Sequence, residues 1–138
     1  MKKLALLMLA AVFLGCSAAK KAAKHAGNFD GVWIPVRQEL GGKALPASLF
    51  EKQKLTIADS NYTFEAESTD KGIVIHHGNK MDIYGRKGVN AGKHFTAIYK
   101  FEKEQLLICY NLKGDAYPAS FETKASPVFF LSVFKKMP

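Results

Sequence analysis

From Asn28 onward, apolar and polar side chains alternate in short runs, each bounded by Gly, Asn, Asp or Lys. A period of two puts successive side chains on opposite faces of an extended strand, so runs of this length predict strands rather than helices. Eight are predicted: Val32–Glu39, Lys54–Asp59, Tyr62–Glu67, Gly72–His77, Lys80–Tyr84, Lys93–Glu102, Gln105–Asn111 and Val128–Phe134. In the first, Val32, Ile34 and Val36 share one face, and Trp33, Pro35 and Arg37 the other. Pro35 has no N–H to give to a ladder, which predicts a bulge or unpaired edge there and a switch of faces. Trp33 is the only tryptophan and the bulkiest plug available to a small β-domain, so it is placed inside.

The connections carry their own signals. Asp59-Ser60-Asn61, Gly78-Asn79 and Lys103-Glu104 read as tight turns. Leu40–Gln53, with Gly41-Gly42 and then Pro46, reads as a long loop holding one helical turn. It is expected to lie over a barrel mouth, with Leu45, Leu49 and Phe50 on apolar partners. Residues 112–127 read as a second long loop, with a short strand near Phe121. The last run, Val128–Phe134, is apolar on both faces and is expected to be covered on both sides. Unpaired, it would template aggregation, so it is expected to pair with the first strand near Val32–Val36. Together these features predict an all-β domain, an eight-stranded antiparallel up-and-down barrel. Eight strands enclose room for side chains or for one small ligand.

Length and charge narrow the picture. The 138 residues suit one domain, residues 29–138, with an N-terminal extension. Five of the 20 basic residues and none of the 12 acidic ones precede Phe29, so the domain has fifteen against twelve, a net charge of +3. That is well short of the basic stripe of a nucleic-acid reader, and no nucleic-acid partner is expected. Cys16 lies in a targeting segment and Cys109 in an apolar run, so no disulfide is expected and Cys109 reads as a small buried hydrophobe.

The extension has the layout of a secretory signal over residues 1–15. Lys2 and Lys3 precede eleven uncharged apolar residues, Leu4–Leu14, and small residues follow at Gly15-Cys16-Ser17-Ala18. At about 1.5 Å per residue, eleven residues fall short of the roughly 30 Å hydrocarbon core. Phe13-Leu14-Gly15-Cys16 resembles a bacterial lipobox, which implies an acylated Cys16 as a lipid anchor. Phe13 and Leu14 depart from the commonest residues at their positions. The rival reading is an ordinary signal-peptidase site and a soluble periplasmic or secreted protein. Residues 16–28 lack large apolar side chains and read as a basic tether. Lys20, Lys21 and Lys24 would lie against anionic head groups or simply keep the domain off the surface.

Linear motifs give catalysis no support: there is no Gly-X-Ser-X-Gly, His-Glu-X-X-His or Cys-X-X-Cys. No catalytic residue, metal ligand or cofactor is assigned. His76 and His77 are adjacent in a strand and face opposite ways, and His94 could join only one of them. Gly88-Val-Asn-Ala-Gly92-Lys93-His94 has three residues between glycines where a phosphate loop needs four. Arg86, Lys87 and Lys93 leave open an anion site or a flexible basic loop. The remaining handle is aromatic: Trp33, Phe64, Phe95, Tyr99, Tyr110 and Phe130 are expected inside, either filling the barrel or lining a cavity.

Gly31-Val32-Trp33 matches the Gly-X-Trp of the first lipocalin strand. In order, Gly-Val-Trp-Ile-Pro-Val, Gly-Lys-Ala-Leu-Pro, Leu-Thr-Ile-Ala-Asp-Ser-Asn-Tyr-Thr-Phe, Lys-Met-Asp-Ile, Ala-Ile-Tyr-Lys-Phe and Leu-Leu-Ile-Cys-Tyr-Asn resemble an uncharacterised bacterial lipocalin-like domain family of exported proteins. The resemblance covers about residues 28–136. It implies a lipocalin-like barrel and no established activity, and the long helix that follows the barrel in full lipocalins has no counterpart. The leading expectation is a lipid-anchored lipoprotein of the bacterial cell envelope, at the outer rather than the inner membrane, whose barrel binds a small apolar ligand. The alternative is a structural envelope protein with a filled barrel and loops that contact another protein; an enzyme ranks third. Packed interiors are the commoner outcome in a domain this small, whereas a cavity of roughly 300 Å³ or more would favour binding.

Overall fold

Two-residue turns set the plan of the fold. Asp59 and Ser60 both have positive φ, as do Lys103 and Glu104, the combination whose twist matches that of hairpin strands. The first turn joins β3 (Lys54–Ala58) to β4 (Asn61–Glu65), and the second joins β7 (His94–Glu102) to β8 (Gln105–Asn111). Gly78-Asn79, with Gly78 at φ +60°, joins β5 (Thr69–His77) to β6 (Lys80–Lys87). β1 (Gly31–Leu40), the two-residue β2 (Lys43–Ala44) and β9 (Phe129–Lys136) complete the strands. The computed structural model describes residues 28–138; the expected signal segment, Cys16, His25 and the expected tether before Asn28 lie outside the described residues.

All strand pairs are antiparallel, and β9 returns to β1 with Trp33 opposite Lys136 and Leu40 opposite Phe130. Eight strands therefore close into a barrel, with β2 a short addition beside the end of β1. Closure leaves no long edge for another chain to pair with. The three tight turns and the free ends of β1 and β9 lie at one pole, and the longer loops 41–53, 66–68, 88–93 and 112–128 at the other.

The proline does what its chemistry dictates. Between Pro35 and Arg37 the β1–β9 register slips by one residue. Trp33 and Pro35 are buried before the bulge and Gln38 after it. The inward parity thus changes from odd to even, so that Gln38 and Leu40 face the lumen while Arg37 and Glu39 stay outside.

An aromatic plug packs the lumen toward the tight-turn pole. Trp33 is 3% exposed, and its indole N–H donates to the Phe29 carbonyl at 2.7 Å. Phe101 lies against the indole, and Phe29 against Phe101 and Tyr99. The Tyr99 hydroxyl donates to the Gly78 carbonyl at 2.7 Å. Truncating an aromatic buried this way costs about 3–5 kcal/mol.

A second core lies on the barrel's outer face. Ile98, Cys109, Leu131 and Val133 point outward from β7, β8 and β9 and are buried beneath Tyr117 and Phe121 of the 112–128 segment. This strap is what covers the second apolar face of β9. No strand forms near Phe121; the strap instead makes a short 3-10 turn, Thr123–Ala125, because Thr123 is fully buried and its hydroxyl bonds Glu39 and the Gly42 N–H. The first loop differs from expectation at one residue. Its 3-10 turn Ala47–Leu49 follows Pro46 and buries Phe50, but leaves Leu49 exposed.

Candidate functional cavity

Above the plug the lumen is empty. The inward side chains of its walls are mostly apolar, with aliphatic residues such as Leu55, Ile57, Val74, Ile83 and Ile108 among aromatic ones, and they leave a cavity of about 610 Å³ open at the long-loop pole. A volume in this range suits a small-molecule site. The interior is therefore filled only in its lower half. Among the aromatics expected inside, Phe64, Phe95, Tyr110 and Phe130 line the cavity, whereas Trp33 does not and belongs to the plug with Tyr99. The strand period assigns a residue to a face but not to a height along the barrel axis, which separates the two groups.

Polar groups enter this apolar chamber at defined places. Tyr62, inward on β4, is 7% exposed and lines the cavity. Its ring lies across Gly72, its partner on β5, where a Cβ would come 2.6 Å from the ring Cε1. Burial first, and then the Asp70 carboxylate, push the Tyr62 phenol above its ordinary range. Burial drives the Tyr110 phenol higher still, with Tyr62 adding to it. Both hydroxyls are thus protonated donors at any physiological pH.

Gln38 was not singled out from the sequence, because the bulge sets its direction. It is 3% exposed, donates to Ser132 Oγ at 3.2 Å and to Gln53 Oε1 at 2.6 Å, and Gln53 in turn donates to the Leu49 carbonyl at 3.0 Å. This relay ties the first mouth loop to the cavity wall.

Asp70 was missed as well, although an acidic residue two positions before an inward Gly72 carries the parity that would have shown it facing in. Its carboxylate is 4% exposed and accepts the Asn90 backbone N–H at 3.0 Å and the Asn90 side-chain N–H at 3.2 Å. The Gly88–Lys93 loop therefore wraps the chain's own carboxylate. Gly88, at φ +91°, has no room for a Cβ beside that oxygen. The glycine-rich stretch is an ordered part of the rim, closed by Gly85 N–H to Lys93 carbonyl and Gly92 N–H to Gly85 carbonyl bonds at 2.9 and 3.0 Å. Asn90 and Lys93 reach the cavity from it. Leu40 and Leu112, at the cavity's edge, and Val89 on the same loop are exposed.

The histidines are spread apart. His76 packs on Phe29 at the closed pole. On the outer wall, His94 Nε2 meets Asp82 Oδ1 at 2.7 Å while the Tyr117 hydroxyl donates to Asp82 Oδ2 at 2.7 Å, and Tyr84 stacks on the His94 ring. His77 stands edge-on to Tyr117. These contacts hold the strap to β6. Among the described residues no three His, Cys, Asp or Glu side chains gather in a metal-binding cluster. Burial first, and then the Glu39 charge, raise the Cys109 thiol to about 11, so it stays protonated and shielded under the strap.

Comparison of the chain with protein-family models, with curated proteins and with solved structures gives no significant match in any of the three.

Proposed function

We propose that this is an exported lipoprotein of the bacterial cell envelope, anchored through Cys16 and placed at the outer rather than the inner membrane, whose lipocalin-like barrel binds a small apolar ligand. The observation that carries the binding reading is the cavity of about 610 Å³ with aliphatic and aromatic walls and an open mouth. A domain of this size whose only need was stability would fill such a space, because each buried void forfeits contacts. The anchor and the address rest on the sequence, from the paired lysines through the apolar run to Cys16.

Titrating the mature protein with an apolar naphthylamine dye tests the binding half. The dye is expected to brighten in the cavity and to quench Trp33 by energy transfer, since the indole sits in the plug below and is not itself displaced. Flat titrations over a chemically broad panel of apolar probes would overturn the reading. Palmitate labelling of whole cells tests the anchor, with label expected on the wild type and lost in Cys16→Ala.

A further inference from the structure

Tyr62 and Tyr110 face each other across the lumen. Three strands separate β4 from β8 in either direction around the barrel, and both rings line the same cavity. Every enclosed side-chain N or O among the described residues has a hydrogen-bond partner, yet neither phenol hydroxyl makes a hydrogen bond within them. The two hydroxyls must therefore border accessible space. For Tyr62, more than nine-tenths buried, that space is the cavity. The ring itself lies against Gly72, on the neighbouring strand.

We infer that the cavity takes a neutral apolar molecule carrying one oxygen acceptor, an alcohol, ketone or ester, with that oxygen held between the Tyr62 and Tyr110 hydroxyls. This deepens the binding reading above and depends on it. An apolar chamber that needed only to exclude water would have phenylalanine at these positions; a hydroxyl left without a partner there is destabilising. Neutrality follows from the surroundings. The Asp70 carboxylate borders the same cavity, close enough to act on Tyr62, so a second carboxylate held there would be repelled as well as desolvated, while the Lys93 ammonium reaches the cavity only from the exposed rim, where it donates to Asn90 Oδ1 at 3.3 Å. An ammonium brings only donors and a charge to be desolvated, and Asp70 is already engaged by two N–H groups of Asn90.

The test is a displacement series with the naphthylamine dye on the mature protein, using decane, decanol, a decanone, decanoate and decylamine. In the wild type, decanol and the decanone are expected to displace the dye at about three- to tenfold lower concentration than the other three. In the Y62F/Y110F double variant the decanone and decane are expected to converge, with decane unchanged. Tightest binding by decanoate or decylamine, no discrimination among the five, or a ketone preference that survives in the double variant would each overturn the inference while leaving the binding reading intact. Because the wild-type order is read without any variant, a poorly folding variant does not spoil the test. Failure of the dye and of all five compounds to bind would overturn both.

Discussion

At the scale of single residues, glycines decide how closely the walls approach. Gly72 leaves room for the Tyr62 ring on one side and the Tyr84 carbonyl on the other, whereas Gly78 has nothing within 4 Å and is held to glycine only by its φ of +60°. Alanine at these two places therefore separates crowding from backbone strain. Gly72→Ala is expected to cost about 1–3 kcal/mol through overpacking and to shift the Tyr62 ring, weakening dye binding. Gly78→Ala is expected to cost about 1–2 kcal/mol and to leave dye binding alone. Urea unfolding midpoints and dye titrations of the two variants, side by side, check this. The residue-level reading of the sequence was strongest where one atom decides the outcome. The missing N–H of Pro35 announced the bulge, and the size of Trp33 announced its burial. It was weakest for Gln38, whose direction depends on which way the bulge shifts the parity, and for Asp70, whose partner Asn90 is twenty residues away in the chain.

At the scale of elements, the strap shows how an outward layer of apolar side chains is hidden without a helix. Alternation located each strand within a few residues, because faces and turn chemistry are local properties. What covers the outer face of β9 lies beyond the reach of alternation: Tyr117 and Phe121 stand sixteen and twelve residues before Val133, in a segment without strand periodicity. The strap's polar fastening has a definite pH dependence. Burial pushes the Asp82 carboxyl up, but the hydrogen bonds from Tyr117 and His94, with the His94 and His77 charges, outweigh it and hold the group below its usual range. A carboxyl whose folded pKa is depressed contributes stability that is fully present above its unfolded value and is lost as pH falls through the folded one. Stability should therefore fall on acidification below about pH 4, and the Asp82→Asn variant should show a shallower fall there. At neutral pH the same variant is expected to lose about 1–3 kcal/mol, the range for hydrogen bonds to a partly buried charged group. Urea midpoints measured between about pH 3 and pH 7 give both numbers.

At the scale of the whole molecule, the barrel is divided along its axis. One part is packed with aromatic rings, the other is hollow with aliphatic and aromatic walls, and the closing of β9 on β1 holds them as one unit. The division was not legible beforehand, because eight inward stripes of similar apolarity do not reveal at what height their bulk is spent. A variant that fills the hollow half separates the requirements of folding from those of binding. Val74→Phe adds volume at the cavity wall, and is expected to keep or raise thermal stability, by up to about 1 kcal/mol or some 4–8 °C in a domain this size, while reducing dye affinity at least tenfold. A loss of stability without loss of binding would contradict the division.

The chain enters the barrel beside Phe29 and leaves it beside Lys136, with the Met137 N–H donating to the Val32 carbonyl at 2.8 Å. Both ends thus leave from the tight-turn pole of the cup, opposite its mouth. Anything that grips the polypeptide upstream of Phe29, whether a bilayer or a bead, therefore takes hold at the pole opposite the brim. On the proposed reading, a ligand would therefore reach such a cup from the surrounding fluid rather than from the surface it stands on.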